Sequence, residues 1–418
     1  TGRPKEGLPL LQRAEVILER TLGLKHPRVI GALVTVSDAQ AYLPDYAAAE
    51  ATLRGALPAA RSVFPAGHPL LADVLSRLGS VLTDQGRTTE AASFVSEALD
   101  MRISLLGADH PDVQLSRVSL GRLRAQQGRF AETETLYTKA LASRIKSLGK
   151  TSPAVSASLT DLGNLASSRE NWSVAESRYR EALPIWRAAG IQDQALVTES
   201  RLGWAIFKQD RLDEADTYLR EVIQRWIAFA GPRHWAVGDA SEKLAAVLRT
   251  KGNNAEWVSL SDFGLAIRRE VYGKSSLQAA QQLPNVAMAR EFQGDTVAAI
   301  PLLREALNIL HPMRPANDAF VLNSEWLLAV DLCTGTAVVE GEALARSSAR
   351  AVPFDSTQLL PLRLRAGVGY CLLRAGNREA ALPLLEDANR GIQALPPSVS
   401  GRLAATVAAW VRAAAPSR

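Results

Sequence analysis

Residues 107–149, GADHPDVQLSRVSLGRLRAQQGRFAETETLYTKALASRIKSLG, contain two amphipathic helical patterns joined by a Gln127-Gly128-Arg129 turn. The same arrangement begins again directly after this stretch. Equivalent features recur at intervals of 42 residues, namely His26-Pro27, His68-Pro69 and His110-Pro111, and the small residues Gly79, Gly121 and Gly163. Because one helix pair cannot bury its apolar face alone, repeated pairs stack on one another. The sequence therefore predicts an all-α solenoid.

Apolar residues spaced three and four apart predict nine helix pairs. The first helices are predicted at 28–43, 70–85, 112–127, 154–169, 193–209, 235–251, 276–293, 317–334 and 357–375. The second helices are predicted at 46–62, 88–105, 130–147, 172–188, 212–229, 254–271, 296–311, 337–351 and 378–394. A single helix at 8–21 precedes the pairs. Another at 399–413 follows them and is expected to cap the exposed core.

These patterns divide the chain into four segments. Residues 1–23 correspond to the second helix of a truncated repeat, 24–232 to a regular array, 233–395 to a divergent array, and 396–418 to the cap and a tail. Since no Met begins the chain, we expect it to be a piece of a longer protein, whereas its last residues resemble a natural C-terminus.

Two kinds of local departure are expected in the array. The turn glycine is predicted to be lost at Asn171 and at Asp210. Prolines of the divergent segment are expected to kink or break helices or to lie at their ends; they are Pro284, Pro301, Pro312, Pro315, Pro353, Pro361 and Pro383.

The repeat resembles the tetratricopeptide repeat, in the 42-residue variety found in kinesin light chains and in many large bacterial signalling proteins. The resemblance is carried by Leu120-Gly121, the Gln127–Phe130 turn, Leu136-Tyr137 and Ala140-Leu141. It implies a right-handed superhelix whose first helices line a concave groove. A protein or peptide partner is then expected in that groove.

Composition limits the other possibilities. The two cysteines, Cys333 and Cys371, are too few for a disulfide framework, and we expect both to be small buried side chains in a reducing compartment. No apolar run of 18 residues and no signal peptide is visible, so a cytoplasmic protein is expected. The net charge of +5 is spread along the helices and is at most a weak indication of an acidic partner.

No catalytic, cofactor or metal motif appears in the sequence. The histidines that recur 42 residues apart would lie at least about 8–10 Å from one another in stacked helices. Zinc ligands must each reach about 2 Å from one ion. These histidines are therefore interpreted as turn-forming residues, and we expect neither an enzyme nor a cofactor.

The resemblance implies which side chains face the groove, by their offsets from the small residue at each helix crossing. The partner-binding candidates are Arg77, Asp84, Arg122, Gln126, Asp161, Asn164, Ser200, Arg201, Trp204, Phe207, Lys208, Lys243 and Arg249. The same offsets also select Asp73, Ser76, Ser80, Thr83, Thr160, Glu242, Asn285, Glu291 and Phe292.

The stretch 200–208 combines cationic and aromatic residues and has two interpretations. On one, Arg201 and Lys208 beside Trp204 and Phe207 suit a peptide that carries an acidic group and an apolar anchor. On the other, the aromatic residues pack against the next repeat and the cations are solvated.

The predicted function is a protein-interaction scaffold, as the C-terminal regulatory or recruitment part of a larger bacterial signalling protein that carries a kinase or a caspase-like protease. One alternative is a peptide-sensing domain that switches an upstream output domain. RNA binding is a third, which acidic groove residues such as Asp84 and Asp161 oppose because they interrupt a basic path.

Overall fold

The computed structural model describes residues 4–43, 45–395 and 397–415, and the regular elements in these residues are all α-helices. Helix α1 (Pro4–Leu22) comes first. Nine pairs follow: α2 (Pro27–Tyr42) with α3 (Tyr46–Val63), α4 (Pro69–Asp84) with α5 (Thr88–Leu106), α6 (Pro111–Gln126) with α7 (Phe130–Leu148), α8 (Pro153–Ser168) with α9 (Trp172–Ala188), α10 (Gln192–Phe207) with α11 (Leu212–Ala230), α12 (Trp235–Lys251) with α13 (Asn254–Tyr272), α14 (Leu277–Phe292) with α15 (Thr296–Leu310), α16 (Ala319–Thr334) with α17 (Val338–Arg350), and α18 (Leu359–Arg374) with α19 (Arg378–Ala394). The last helix is α20 (Pro397–Ala414). The all-α fold class is thus confirmed, and the predicted helices all form within a few residues of their predicted bounds.

Two compact units divide the chain, Thr1–Thr198 and Glu199–Arg418. Within each unit, every helix packs against the next helix of the chain. First helices of neighbouring repeats also contact one another, α2 with α4 and α4 with α6 in one unit, and α14 with α16 and α16 with α18 in the other. Contact along this row places these first helices in the inner layer of each unit, and we call their solvent-facing side the inner face.

Glycines at the helix crossings let the two helices of a pair approach closely. A Cβ built on Gly163 would lie 2.5 Å from Cε1 of Tyr179, and one on Gly203 would lie 2.6 Å from Cδ2 of Leu219. Both distances are shorter than any ordinary carbon contact, so a larger side chain would force the helices apart. The predicted role of the small residues is confirmed.

Polar side chains cap the first helices at their N-termini. The Nδ1 atoms of the recurring histidines accept a hydrogen bond from the backbone N–H two residues later, at 3.1 Å for His26, 3.0 Å for His68, 3.2 Å for His110 and 3.4 Å for His234. Ser152 Oγ accepts the equivalent bond from the N–H of Ala154. The histidines are N-caps, which satisfy one of the unpaired donors at each helix start.

The turn between paired helices usually contains a glycine with a positive φ. Where glycine is missing, Glu170 and Asp210 adopt this left-handed conformation, at φ values of 56° and 64°. The prediction at Asp210 holds, but the prediction at Asn171 was wrong by one residue. Asn171 has a φ of −85° and directly precedes α9.

Several prolines do not break the helices in which they were expected to act. Pro284, Pro301 and Pro383 lie inside the continuous helices α14, α15 and α19. Pro361 falls in the first turn of α18, where the missing N–H costs little because that donor has no partner within the helix. Breakage was predicted from local preference alone, and tertiary packing holds these helices together.

The two cysteines form a disulfide instead of remaining separate buried thiols. Cys333 of α16 and Cys371 of α18 are bonded, with their Cα atoms 5.3 Å apart. The prediction that both are buried holds, but the prediction of free thiols was wrong. Their separation of 38 residues is close to one repeat, which brings the two side chains together where first helices touch.

Helix α20 covers the end of the stack. Val407 is buried against the same apolar cluster as Leu362 and Ile392. The ring of Trp410 stacks on Tyr370 with 4.3 Å between centroids. This helix therefore closes the core beside α18 and α19, as predicted. Among the described helices, none is long and apolar enough to cross a membrane.

Candidate partner-binding surface

In the first unit, charged candidates lie on the inner face and interact across neighbouring helices. Arg77 of α4 is exposed, and its Nε lies 3.1 Å from Oδ1 of Asp38 on α2. Asp84 is also exposed at the surface, although surrounding atoms partly desolvate its carboxyl. This desolvation raises the pKa of Asp84, while the charge of Arg122 on α6 opposes the rise. Arg122 and Gln126 are both exposed.

The remaining candidates of this unit are partly used by the fold. Asn164 Oδ1 accepts a 2.9 Å hydrogen bond from the hydroxyl of Tyr179, and Asp161 is half-buried. Thr83 and Thr160 are buried and donate to backbone oxygens of their own helices, and Ser76 is buried as well. These three residues therefore occupy core positions, which corrects the wider list.

In the second unit, an aromatic and cationic cluster forms on α10. The rings of Trp204 and Phe207 lie 5.0 Å apart, and Lys208 Nζ lies 5.8 Å from the Trp204 ring centroid. Arg201 and both aromatic residues are half-buried. Ser200 is only 3% exposed, so it does not face a partner, contrary to its prediction.

Two further candidates of this unit lie on α12. Lys243 is mostly buried, and its ammonium forms an ion pair with Asp239 one turn earlier. The guanidinium of Arg249 lies against the next repeat, with Nη1 3.7 Å from Sδ of Met288 and Cζ 5.9 Å from the ring centroid of Trp257. Trp257 in turn makes an edge contact with Phe292, at 5.6 Å between centroids.

Buried acidic groups of this face have pKa values far above their ordinary range. Desolvation raises the pKa of Glu242 to about 7, although Arg268 Nη2 lies 2.6 Å from its Oε2. Glu291 of α14 faces Asp331 of α16. Burial raises the pKa of both carboxyl groups, and the charge of Asp331 raises the pKa of Glu291 further, whereas the hydrogen bond from Glu291 opposes the rise at Asp331. At neutral pH this pair therefore retains a proton.

The sequence analysis missed a set of side chains on the later first helices, namely Met288, Asn323, Trp326 and Arg363. The signal was present: the offset of six residues before the small residue at a crossing selects Arg363 when it is counted from Gly369. The divergent pattern after residue 300 concealed it. Within the described residues, no group of three or more histidine, cysteine or acidic side chains is arranged to hold a metal ion.

Comparisons with known proteins agree with this architecture. Models of the tetratricopeptide repeat match residues 70–132, 114–188 and 200–236. No curated protein matches the chain.

Similar solved structures include BtubC (BKLC) from P. vanneervenii, with 20% identity, a TM-score of 0.45, and coverage of 55% of this chain and 92% of that one. They also include a putative kinesin light chain with nearly identical TPR-like repeats from Podosopora anserina, with 19% identity, a TM-score of 0.42, and coverage of 49% and 97%. The family assignment depends on the repeat models and on the helix pairs, and the predicted resemblance is confirmed. The chain thus contains tetratricopeptide repeats, which are matched at residues 70–188 and 200–236.

Proposed function

We propose that this chain is a protein-interaction module that holds a peptide or a partner domain on the inner face of its repeats. Tetratricopeptide repeats generally bind protein or peptide partners, which makes a scaffold the function that the fold favours. The module acts by binding and not by chemistry. It serves in the cytoplasm as the regulatory or recruitment part of a larger bacterial signalling protein, whose kinase or caspase-like protease domain is one candidate partner.

The observation that carries this proposal is the cluster on α10. Trp204 of α10 lies close both to Phe207 and to Lys208, which directly follows the helix, and each of the three side chains is partly accessible to solvent. Aromatic side chains supply large contact areas at protein interfaces, and cations beside them favour an acidic group on the partner. The partner class is therefore a peptide or domain surface with an apolar anchor next to an acidic residue.

The experiment is a pull-down from lysate of the source cell, followed by mass spectrometry. The intact chain is compared with the variant Arg201→Glu/Trp204→Ala/Lys208→Glu. We expect a partner that the intact chain retains and the variant loses. Circular dichroism of both proteins establishes that the variant is folded.

A matched control carries the same types of substitution away from α10, on two second helices and in the turn before α12. The variant Phe263→Ala/Arg233→Glu/Arg390→Glu changes one exposed aromatic residue and two arginines whose side chains are each 75% exposed. This control should retain the partner. If the α10 variant binds as well as the control, the inner face of α10 is not the binding surface.

A further inference from the structure

A row of four side chains crosses the inner face of the second unit, one from each of four successive first helices. The four are Arg249 on α12, Met288 on α14, Trp326 on α16 and Arg363 on α18. From one helix to the next along this row, the residue lies roughly one helical turn closer to the N-terminus of its own helix. Arg249 contacts Met288, with 3.7 Å between Nη1 and Sδ. Met288 and Trp326 pack on one apolar cluster, and Arg363 Cζ lies 4.9 Å from the ring centroid of Trp326.

The tryptophan of this row is fitted closely to the helix that carries the arginine. A Cβ on Gly367 would lie 2.8 Å from Cδ1 and 2.9 Å from Nε1 of Trp326, so glycine is needed for this edge of the indole to approach α18 so closely. The indole in turn supports one face of the Arg363 guanidinium, which favours a fixed position for the cation. The site is therefore built from packed parts, not from freely moving surface side chains.

Arg363 is a poorly compensated cation. Its Nη1 donates a 2.5 Å hydrogen bond to Oδ1 of Asn323, which is neutral, and its Nε is buried without a hydrogen-bond partner. No carboxylate lies within ion-pair distance of Arg363 among the residues that the structure describes. Burial, followed by the charge of Arg249, lowers the pKa of Arg363 to about 10.

Three other arginines of the same unit that reach across packed helices have such carboxylates, whereas Arg374 donates to the backbone oxygens of Cys333 and Thr334. Arg268 pairs with Glu242, Arg269 with Glu305, and Arg290 with Asp262. A partly buried charge without an opposite charge is costly, and a bound anion would remove that cost. The exception at Arg363 therefore indicates a position that an external anion completes.

We propose that Arg363 binds the side-chain carboxylate of an acidic residue in a bound peptide, whose neighbouring apolar side chain rests on Met288 and Trp326. This inference rests on the proposed function and names a second contact region, distinct from the α10 cluster. A singly charged carboxylate suits the site better than a phosphate, because the buried acidic pair of Glu291, one turn after Met288, and the facing Asp331 already resists negative charge by holding a proton. The planar guanidinium also matches a carboxylate in shape.

The first test is the stability of Arg363→Leu, measured as the thermal unfolding midpoint of the full chain. Removing an uncompensated charge should leave the midpoint unchanged or raise it. The matched variant Arg268→Leu leaves Glu242 buried without its partner and should lower the midpoint. A fall for Arg363→Leu as large as that for Arg268→Leu would show that Arg363 is a structural residue and would overturn the proposal.

The second test measures anion binding with small probes at constant ionic strength. N-acetylglutamic acid α-amide presents a side-chain carboxylate, and N-acetylglutamine α-amide is its neutral control. The acid should raise the unfolding midpoint of the intact chain in a concentration-dependent way. Its affinity should fall at least about tenfold in Arg363→Leu, and the neutral amide should have no effect.

Two further probes distinguish other anions. N-acetylalanine presents a terminal carboxylate, and phenyl phosphate presents a phosphate. If either bound more tightly than N-acetylglutamic acid α-amide, the ligand of the site would be that group and not a side-chain carboxylate. Equal effects of the acid on the intact chain and on Arg363→Leu would overturn the site. These outcomes do not depend on the pull-down. The experiments can therefore disprove binding at the α10 cluster without disproving binding at Arg363, and can disprove binding at Arg363 without disproving binding at the α10 cluster.

Discussion

At the scale of single residues, the crossing glycines and the capping histidines explain why the repeat recurs. Gly163 lies inside α8 where Tyr179 of α9 packs against it, and the hydroxyl of Tyr179 also bonds to Asn164. Each glycine thus permits one specific aromatic or branched side chain on the following helix. This pair, a small residue and the side chain that packs against it, recurs once in each repeat.

Replacing Gly163 by alanine should destabilise the protein. The added Cβ would lie 2.5 Å from the Tyr179 ring, so we expect a loss of about 1–3 kcal/mol in the free energy of unfolding, measured by urea denaturation. Gly55, inside α3, has no atom within 4 Å of its added Cβ and is the matched control. Gly55→Ala should stabilise by about 0.5–1 kcal/mol. Equal effects at both positions would contradict the packing explanation.

The cap formed by His234 should make stability depend on pH. The imidazole accepts through Nδ1 and lies between Trp226 and Trp235, and burial lowers its pKa below the ordinary value of 6.5. Neutral histidine is therefore favoured by the fold. The stabilisation is present above pH 6.5 and is lost as the pH falls through the lowered pKa.

The measurement is the thermal unfolding midpoint between about pH 8 and pH 5 for the intact chain and for His234→Ser. Serine caps α8 at the equivalent Ser152 and does not titrate, so the variant should lose less stability on acidification than the intact chain. Identical pH profiles would show that this cap does not titrate as described.

At the scale of helices, ion pairs join second helices of successive repeats. The partners are 36 residues apart and include Arg54 with Glu90, Arg61 with Glu97, Arg220 with Glu256, Arg269 with Glu305, and Arg304 with Glu340. This separation is shorter than the 42-residue period because each arginine contacts a turn of the next second helix that precedes the position equivalent to its own. Cations that looked evenly scattered in the sequence are thus organised on the second helices.

A double-mutant cycle on Arg220 and Glu256 should measure one such pair. Arg220 Nη2 lies 2.8 Å from Oε2 of Glu256. The side chain of Arg220 is 43% exposed and that of Glu256 is 34% exposed, so water screens the pair. We therefore expect a coupling free energy below about 1 kcal/mol, from unfolding of Arg220→Gln, Glu256→Gln and the double variant. The coupling should shrink in 1 M salt. Arg178 and Glu181, a pair within one helix, provide the comparison, and a salt-independent coupling would contradict a screened ion pair.

At the scale of the whole molecule, stability depends on covering the apolar end of a stack. Helix α20 provides this cover for α18 and α19, through Val407 and the stacked rings of Trp410 and Tyr370. A solenoid repeat gains stability only from its neighbours, so the last pair needs such a helix.

Deleting residues 396–418 should therefore lower the urea midpoint of the chain. The deletion exposes Leu362 and Ile392, and each apolar side chain that loses its burial costs about 1.5–3 kcal/mol. Removal of 416–418 alone is the control and should leave the midpoint unchanged. An unchanged midpoint after the longer deletion would show that α20 does not stabilise the stack.

How far the sequence predicts each level follows from the range of the interactions. The helices, their pairing, the crossing glycines and the cap depend on periodicity and on contacts within one repeat, and these were predicted. Breakage at Pro301 and Pro383 was wrongly expected, because packing along the rest of each helix outweighs one lost backbone hydrogen bond. On the candidate surface, the offsets placed Arg77 and Arg122 on exposed positions, whereas Ser200 and Thr83 proved to be buried.

The sequence by itself determined that this chain is an all-α array of paired helices, because a 42-residue repeat of apolar residues, glycines and caps has one way to bury its apolar faces. Only the tertiary structure decided what happens between repeats. It joined Cys333 to Cys371, matched arginines to glutamates on neighbouring second helices, and placed Arg363 beside Trp326, with no carboxylate of the described residues in ion-pair distance. Such pairings depend on which turn of one helix meets which turn of the next, and that register is set by packing in three dimensions.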